Sequence, residues 1–116
     1  MDNHNQPGPT VLVIFGGAGD LTWRKLIPAV YNLYVDRLLP PDFDVIAVDR
    51  KRIEDEAAYC RRLRDGIDKN SRRGKTDKKT WEELAEHISF ICADFENISF
   101  YNKLAGKISQ RERSWK

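Results

Sequence analysis

One stretch constrains this chain more than any other: Val11-Leu12-Val13-Ile14-Phe15-Gly16-Gly17-Ala18-Gly19-Asp20-Leu21-Thr22-Trp23-Arg24-Lys25-Leu26-Ile27-Pro28. Five apolar residues run into a glycine-rich turn, an acidic residue follows, and an amphipathic pattern starts at once. The order reads as buried strand, tight turn and helix. Gly16 and Gly19 have no Cβ, so the backbone can bend sharply and approach a bulky anion, while the first N–H groups of the helix point at it. A nucleotide phosphate suits that place; the alternative is a strand-to-helix turn that merely needs positive φ. A P-loop is excluded, because no Gly-Lys-Ser/Thr ending follows Gly16.

Beyond the turn, Leu26, Val30, Leu33 and Leu38, with Ile27, Tyr31 and Tyr34 beside them, predict a helix to about Leu39. Pro28 removes a hydrogen bond and crowds the carbonyl four residues back, which predicts a kink near Trp23 to Arg24. Pro40-Pro41-Asp42 ends this helix, and Phe43 to Val48 is a second buried strand that finishes at Asp49-Arg50. Ile53, Ala57, Cys60, Leu63 and Ile67 mark the apolar face of the next helix, and Asp68 to Thr76 is a polar loop. Trp81, Leu84, Ala85 and Ile88 predict a short helix capped by Thr76 or Asp77, followed by a strand over Ser89 to Ala93. Ile98, Tyr101, Leu104, Ala105 and Ile108 form a last helical stripe before the charged end.

This alternation is α/β: a Rossmann-like βαβαβ half whose right-handed crossovers put parallel strands in the order 3-2-1. Residues 1–9 read as a disordered lead-in, and 10–116 as a partial, truncated NAD(P)-binding Rossmann domain. In that order the first strand has a neighbour on one side only, although its apolar run suits a central strand. Either a fourth strand follows later in the polypeptide, or another copy pairs there as a homo-oligomer.

With 116 residues the chain has room for one core, too little for a coenzyme domain and a substrate domain together. Its net charge of +2 gives no global bias toward nucleic acid or membranes. Arg61 to Lys79 is rich in Lys and Arg but has no interleaved aromatics, so it reads as a charged loop flank rather than a polyanion site. No apolar run is long enough to span a bilayer, and the first residues do not resemble a signal peptide. Cys60 and Cys92 lack C-x-x-C spacing and fall among apolar neighbours, which suggests a reducing cytoplasm. The two histidines, His4 and His87, lie in unrelated contexts and offer neither a metal site nor a catalytic base.

Gly16-Gly17-Ala18-Gly19-Asp20-Leu21, followed by Arg24-Lys25-Leu26-Ile27-Pro28-Ala29, resembles the coenzyme fingerprint of glucose-6-phosphate dehydrogenases: G-A-[ST]-G-D-L-[AT], a basic cluster, an aliphatic pair and Pro. The resemblance covers only that family's amino-terminal region. It implies that Gly16, Gly17, Ala18, Gly19, Asp20 and Leu21 cradle the coenzyme diphosphate and that Lys25 reaches phosphate or the substrate side of the cleft. Ala18 stands where the family carries Ser or Thr, which removes one hydroxyl. Arg24, four positions after Asp20, suits a helix-surface ion pair.

Arg50 matches the family's 2′-phosphate arginine, whereas Asp49 stands where a small residue is usual. An acid at the end of the second strand suits the ribose hydroxyls of NAD, and an Arg suits the 2′-phosphate of NADP. NADP is the expected coenzyme, with some NAD use; the alternative is that Arg50, Lys51 and Arg52 are a solvated run. The family oxidises glucose 6-phosphate at C1, passing hydride to NADP, through a histidine base in later motifs of the R-I-D-H-Y-L-G-K and E-K-P-F-G kinds. Neither motif occurs here, so catalytic residues lie beyond this chain. The competing reading is a free-standing dinucleotide-binding or sensor module.

Overall fold

Val, Ile and Phe crowd three short segments, and each becomes a strand: β1 (Thr10–Phe15), β2 (Phe43–Asp49) and β3 (Ile88–Cys92). The structure, a computed structural model, describes residues 8–50, 53, 55–71, 75–94 and 96–115. Most of the expected lead-in, together with Lys51, Arg52 and the centre of the polar loop at 72–74, lies outside the described residues. The strands are parallel with β2 in the middle, which is the expected 3-2-1 order. β1 runs beside β2 from Thr10↔Phe43 to Phe15↔Val48, and β2 beside β3 from Val45↔Ile88 to Asp49↔Cys92.

Helices cover both faces. On one side α1 (Ile27–Val35), α2 (Glu56–Asn70) and α3 (Lys78–Ala85) bury Phe43, Val45, Ala47 and Ile88 with Ile27, Leu63, Ile67 and Leu84. On the other, α4 (Ile98–Ser114) lays Phe100 and Leu104 over Ile46, Val48 and Ile91. Asp55 caps α2 by accepting the Ala58 N–H, and Asp77, one of the two expected caps, accepts the Thr80 N–H at the start of α3. The Thr80 N–H, and then the Thr80 hydroxyl donating to the same carboxylate, hold the Asp77 carboxyl below the usual carboxylate range.

The first helix departs from its predicted form. Thr22–Leu26 is a π-helical turn, closed by the Ile27 N–H on the Thr22 carbonyl, and Pro28 sits at the start of the regular helix behind it. The proline's conflict with the preceding turn is thus taken up by a wider turn, at the place where a kink is predicted. The wider turn also rotates the buried face: Ile27, Val30 and Tyr31 are buried, whereas Leu26 and Leu33 are exposed. The helix ends at Val35, short of Leu39, because Arg37 adopts φ 58°. The Leu38 N–H donates to the Leu33 carbonyl and the Arg37 N–H to Tyr34, the bond pair of a left-handed helix closure. A non-glycine residue is strained there. Arg37→Gly is expected to raise unfolding free energy by about 0.5–1 kcal/mol, read as a higher denaturant midpoint at unchanged slope.

Other expectations shift at their edges. Ile88 opens β3 rather than closing α3, and Ala93 lies just past the strand. On α2, Tyr59 is buried and Ala57 exposed. On α4, Ile98 is 74% exposed and Tyr101 is also exposed, because Phe100 and Leu104 take the inward positions; the helix continues through the charged residues to Ser114. Cys92 is exposed and only Cys60 is partly covered. β1 is not a fully buried strand: as the edge strand it leaves Leu12 43% and Phe15 60% exposed.

His87 has a structural place at the end remote from the glycine turn. Its ring stacks on Phe43 at 4.7 Å, and Nδ1 lies 3.0 Å from the Phe43 carbonyl and 3.3 Å from Asp44 Oδ1. Arg111 of α4 brings Nε within 3.2 Å of Asp44 Oδ2, an ion-pair distance whose angle is not that of a hydrogen bond.

Candidate functional site

The glycine turn leaves β1 at the carboxyl end of the sheet, where the crevice of an open parallel sheet forms. Gly16 takes φ 79°, a left-handed backbone that L side chains rarely adopt. The Gly16 and Gly17 N–H groups both donate to the Val48 carbonyl, and the Gly19 N–H donates back to Gly16. Gly17 lies flat on β2: a Cβ there would come within 2.5 Å of the Ala47 Cβ. Thr22, at the third glycine position of a G-x-G-x-x-G reading from Gly17, is buried and donates its hydroxyl to the Gly16 carbonyl at 3.0 Å.

This bonding determines which donors remain. Ala18 donates its N–H to Asp49 Oδ2 at 2.9 Å, and Trp23 donates to the Gly19 carbonyl. Among the described residues, no hydrogen bond takes the main-chain N–H groups of Asp20, Leu21 and Thr22. They are the orphan donors of a helix start, at the positive end of its dipole. An anion the size of a diphosphate fits such a cradle.

The structure brings Asp49 to Ala18, and leaves Arg50 exposed just past β2 at the same end of the sheet. Arg50 lines a hollow of about 240 Å³ with Ala93, Asp94 and Glu96. Next to it, Ile53, Asp55, Glu56, Phe90 and Cys92 line a second hollow of about 510 Å³. A third, of about 420 Å³ among Tyr34, Phe43, Glu83 and His87, sits at the amino ends of the strands, away from the turn. Asp20 pairs with Arg24 at 3.2 Å as the i, i+4 spacing predicts, so the Asp20 carboxylate faces its own helix. Lys25 is exposed a turn further on, and no hydrogen bond or ion pair among the described residues ties it to the glycine turn.

Two supporting residues escape a reading of the sequence. Tyr59 of α2 donates its hydroxyl to the Gly17 carbonyl at 2.6 Å. Burial pushes its phenol well above the ordinary range, Cys60 and Asp49 add to the effect, and Arg62 opposes it, so the hydroxyl stays a donor. Trp23 donates its indole N–H to the Arg62 carbonyl at 2.9 Å, tying the π turn to α2. The available signal was chemical: a tyrosine on an apolar helix face needs an acceptor for its hydroxyl.

A parallel β-α-β sheet with helices on both faces and a glycine turn between its first strand and first helix defines a Rossmann-like dinucleotide-binding domain. Comparison with known proteins makes this specific. The family described as glucose-6-phosphate dehydrogenase, NAD binding domain, matches residues 13–116, and the chain belongs to it.

The chain is 33% identical over 99 residues to the glucose-6-phosphate 1-dehydrogenase of Aggregatibacter actinomycetemcomitans, covering 85% of this chain and 19% of that protein. It is 35% identical over 96 residues to that of Chlamydia muridarum, covering 83% of this chain and 19% of that protein. The solved glucose-6-phosphate 1-dehydrogenase from Mycobacterium avium superposes with a TM-score of 0.74 at 27% identity, over 85% of this chain and 21% of that one. A glucose-6-phosphate dehydrogenase in complex with its substrate glucose-6-phosphate superposes at 0.81 and 23% identity, over 98% of this chain and 23% of that one, a likeness of fold alone. The chain therefore spans about a fifth of its relatives and corresponds to their amino-terminal, coenzyme-binding portion. Among the described residues, no helix is long and apolar enough to cross a membrane.

Proposed function

We propose that this chain supplies the coenzyme site of a cytoplasmic glucose-6-phosphate dehydrogenase and that NADP is its preferred coenzyme, with some use of NAD. The observation that carries the reading is the set of three adjacent N–H donors, Asp20 to Thr22, behind a turn that Gly17 lets lie against β2. The diphosphate sits on those donors, with Gly16, Gly17, Ala18 and Gly19 forming the bend, and Asp20 and Leu21 contributing main chain rather than side chain. Arg50 takes the 2′-phosphate, and Lys25 reaches the phosphates or substrate from the exposed side of the π turn. The bound nicotinamide accepts the hydride in the family's chemistry. The residues that bind glucose 6-phosphate and take its proton belong to the rest of such an enzyme. The family match over 13–116 favours this reading over a free-standing sensor module.

A charge-assisted Arg–phosphate contact contributes roughly 1.5–3 kcal/mol, on the order of tenfold to a hundredfold in affinity. Arg50→Ala is expected to weaken NADP binding by that factor in a calorimetric titration and to change NAD binding less than about threefold. An equal loss for both coenzymes would remove the 2′-phosphate assignment.

A further inference from the structure

The donor segment Asp20 to Thr22 lies between two anchors, and both belong to α2. Ahead of it, the Gly17 carbonyl accepts the Tyr59 hydroxyl at 2.6 Å. Behind it, the Trp23 indole N–H donates to the Arg62 carbonyl at 2.9 Å. Tyr59 and Arg62 stand three positions apart in α2, neighbours on one side of the helix. The helix lies close against the π turn: a Cβ at Gly66 would come within 2.6 Å of the Trp23 ring. Gly17 is buried and its N–H is committed to Val48, so its carbonyl sits where water reaches poorly and a protein partner is needed. Tyr59, its own ring buried and packed on Phe90 at 5.0 Å, supplies that partner. Val48 and Ala47 thus hold the bend against the sheet, and Tyr59 ties it to the helix that also holds Trp23.

We infer that Tyr59 is a positioning residue of the coenzyme site: through the Gly17 carbonyl its hydroxyl holds the N–H groups of Asp20 to Thr22 in the alignment a diphosphate requires, with the Trp23–Arg62 bond fixing the far end. This rests on the coenzyme reading above and gives α2 a part in binding although it lends no donor of its own. Donors already aligned need no reorganisation when the anion arrives, and that saving appears as affinity. Because the diphosphate is common to NADP and NAD, the effect falls on both coenzymes alike. Its size is that of one ordinary hydrogen bond, about tenfold in affinity.

Tyr59→Phe removes the hydroxyl and keeps the ring. In titrations of the full chain followed by backbone amide resonances, it is expected to weaken NADP, NAD and inorganic pyrophosphate each about tenfold, with the NADP-to-NAD affinity ratio held within about twofold. Pyrophosphate carries only the group that the donors hold, so its loss places the effect at Asp20 to Thr22. A tyrosine that merely fills the core costs stability when truncated and leaves the affinities of the folded chain alone. Wild-type affinity for all three ligands in folded Tyr59→Phe therefore overturns the inference, as does a loss confined to the coenzymes. Thermal melts establish that the variant is folded; if it is not, Trp23→Phe, which removes the indole N–H at the other anchor, decides by the same criterion. Folded wild-type chain that binds neither coenzyme overturns the coenzyme reading itself, an outcome distinct from a variant that binds as well as wild type.

Discussion

Gly17→Ala is expected to lower the unfolding free energy by about 1–3 kcal/mol and to weaken coenzyme binding about a hundredfold. The added methyl carbon would come within 2.5 Å of the Ala47 Cβ, with the Ala47 Cα and carbonyl carbon at 3.1 and 3.2 Å. Ala47 belongs to the central strand and is fully buried, so it cannot yield, and the turn must lift away. Lifting breaks the Gly16 and Gly17 bonds to Val48 and the Tyr59 bond to Gly17, and it misaims the donors at Asp20 to Thr22. Hydrogen bonds to a charged group contribute roughly 1.5–3 kcal/mol each, so the loss of one to two amounts to about two orders of magnitude. Gly106 is the internal control. A Cβ there meets nothing within 4 Å, and because the residue lies inside α4, Gly106→Ala is expected to raise stability by about 1 kcal/mol. Denaturant melts of the two variants should move in opposite directions. Gly17→Ala with wild-type stability and NADP affinity would show that the turn does not rest on β2.

Ile27→Ala and Leu26→Ala form the second large contrast. Ile27 is fully buried at the junction of the π turn and α1, and truncating it removes apolar burial and leaves a cavity among Val30, Tyr31 and Leu63 of the same core, at a cost of about 2–5 kcal/mol. That is a large part of the 5–15 kcal/mol that roughly bounds the stability of a domain. Leu26, exposed by more than a third, should change stability by no more than about 0.5 kcal/mol. In a regular helix built on the predicted stripe Leu26 and Ile27 would both face inward, and both truncations would be costly. Chemical denaturation of the pair therefore reports on the π turn itself, and equal losses would argue against it.

These neighbours show what the sequence conveys and what it withholds. The strand order, the glycine turn, the Asp77 cap and the Asp20–Arg24 pair were legible, because each depends on residues close together in the chain or on the handedness of parallel crossovers. Pro28 announced a disturbance at the right place, but whether a helix meets a proline by bending or widening is decided by packing, here by the Trp23 indole bonded to Arg62 on α2. The early end of α1 was hidden because an arginine occupies a left-handed position where glycine would have signalled it. On α4 the predicted stripe holds at Leu104 and Ile108, but the sheet takes Phe100 inward in place of Ile98 and Tyr101. The bend at Gly16 to Gly19 and the place of Arg50 just past β2 were legible, but the partners of Asp49 and Tyr59 are 31 and 42 residues away in the chain. Nothing local points to such long-range bonds.

The central claim is that main-chain donors at the start of the first helix hold a dinucleotide's diphosphate. It is tested most directly by following the backbone amide resonances of the chain while NADP is added. The account predicts that the amides of Asp20, Leu21 and Thr22 move together and saturate, with Ala18 responding through Asp49. Saturable changes confined to the hollow around Tyr34, Glu83 and His87, with those three amides unmoved, would contradict it.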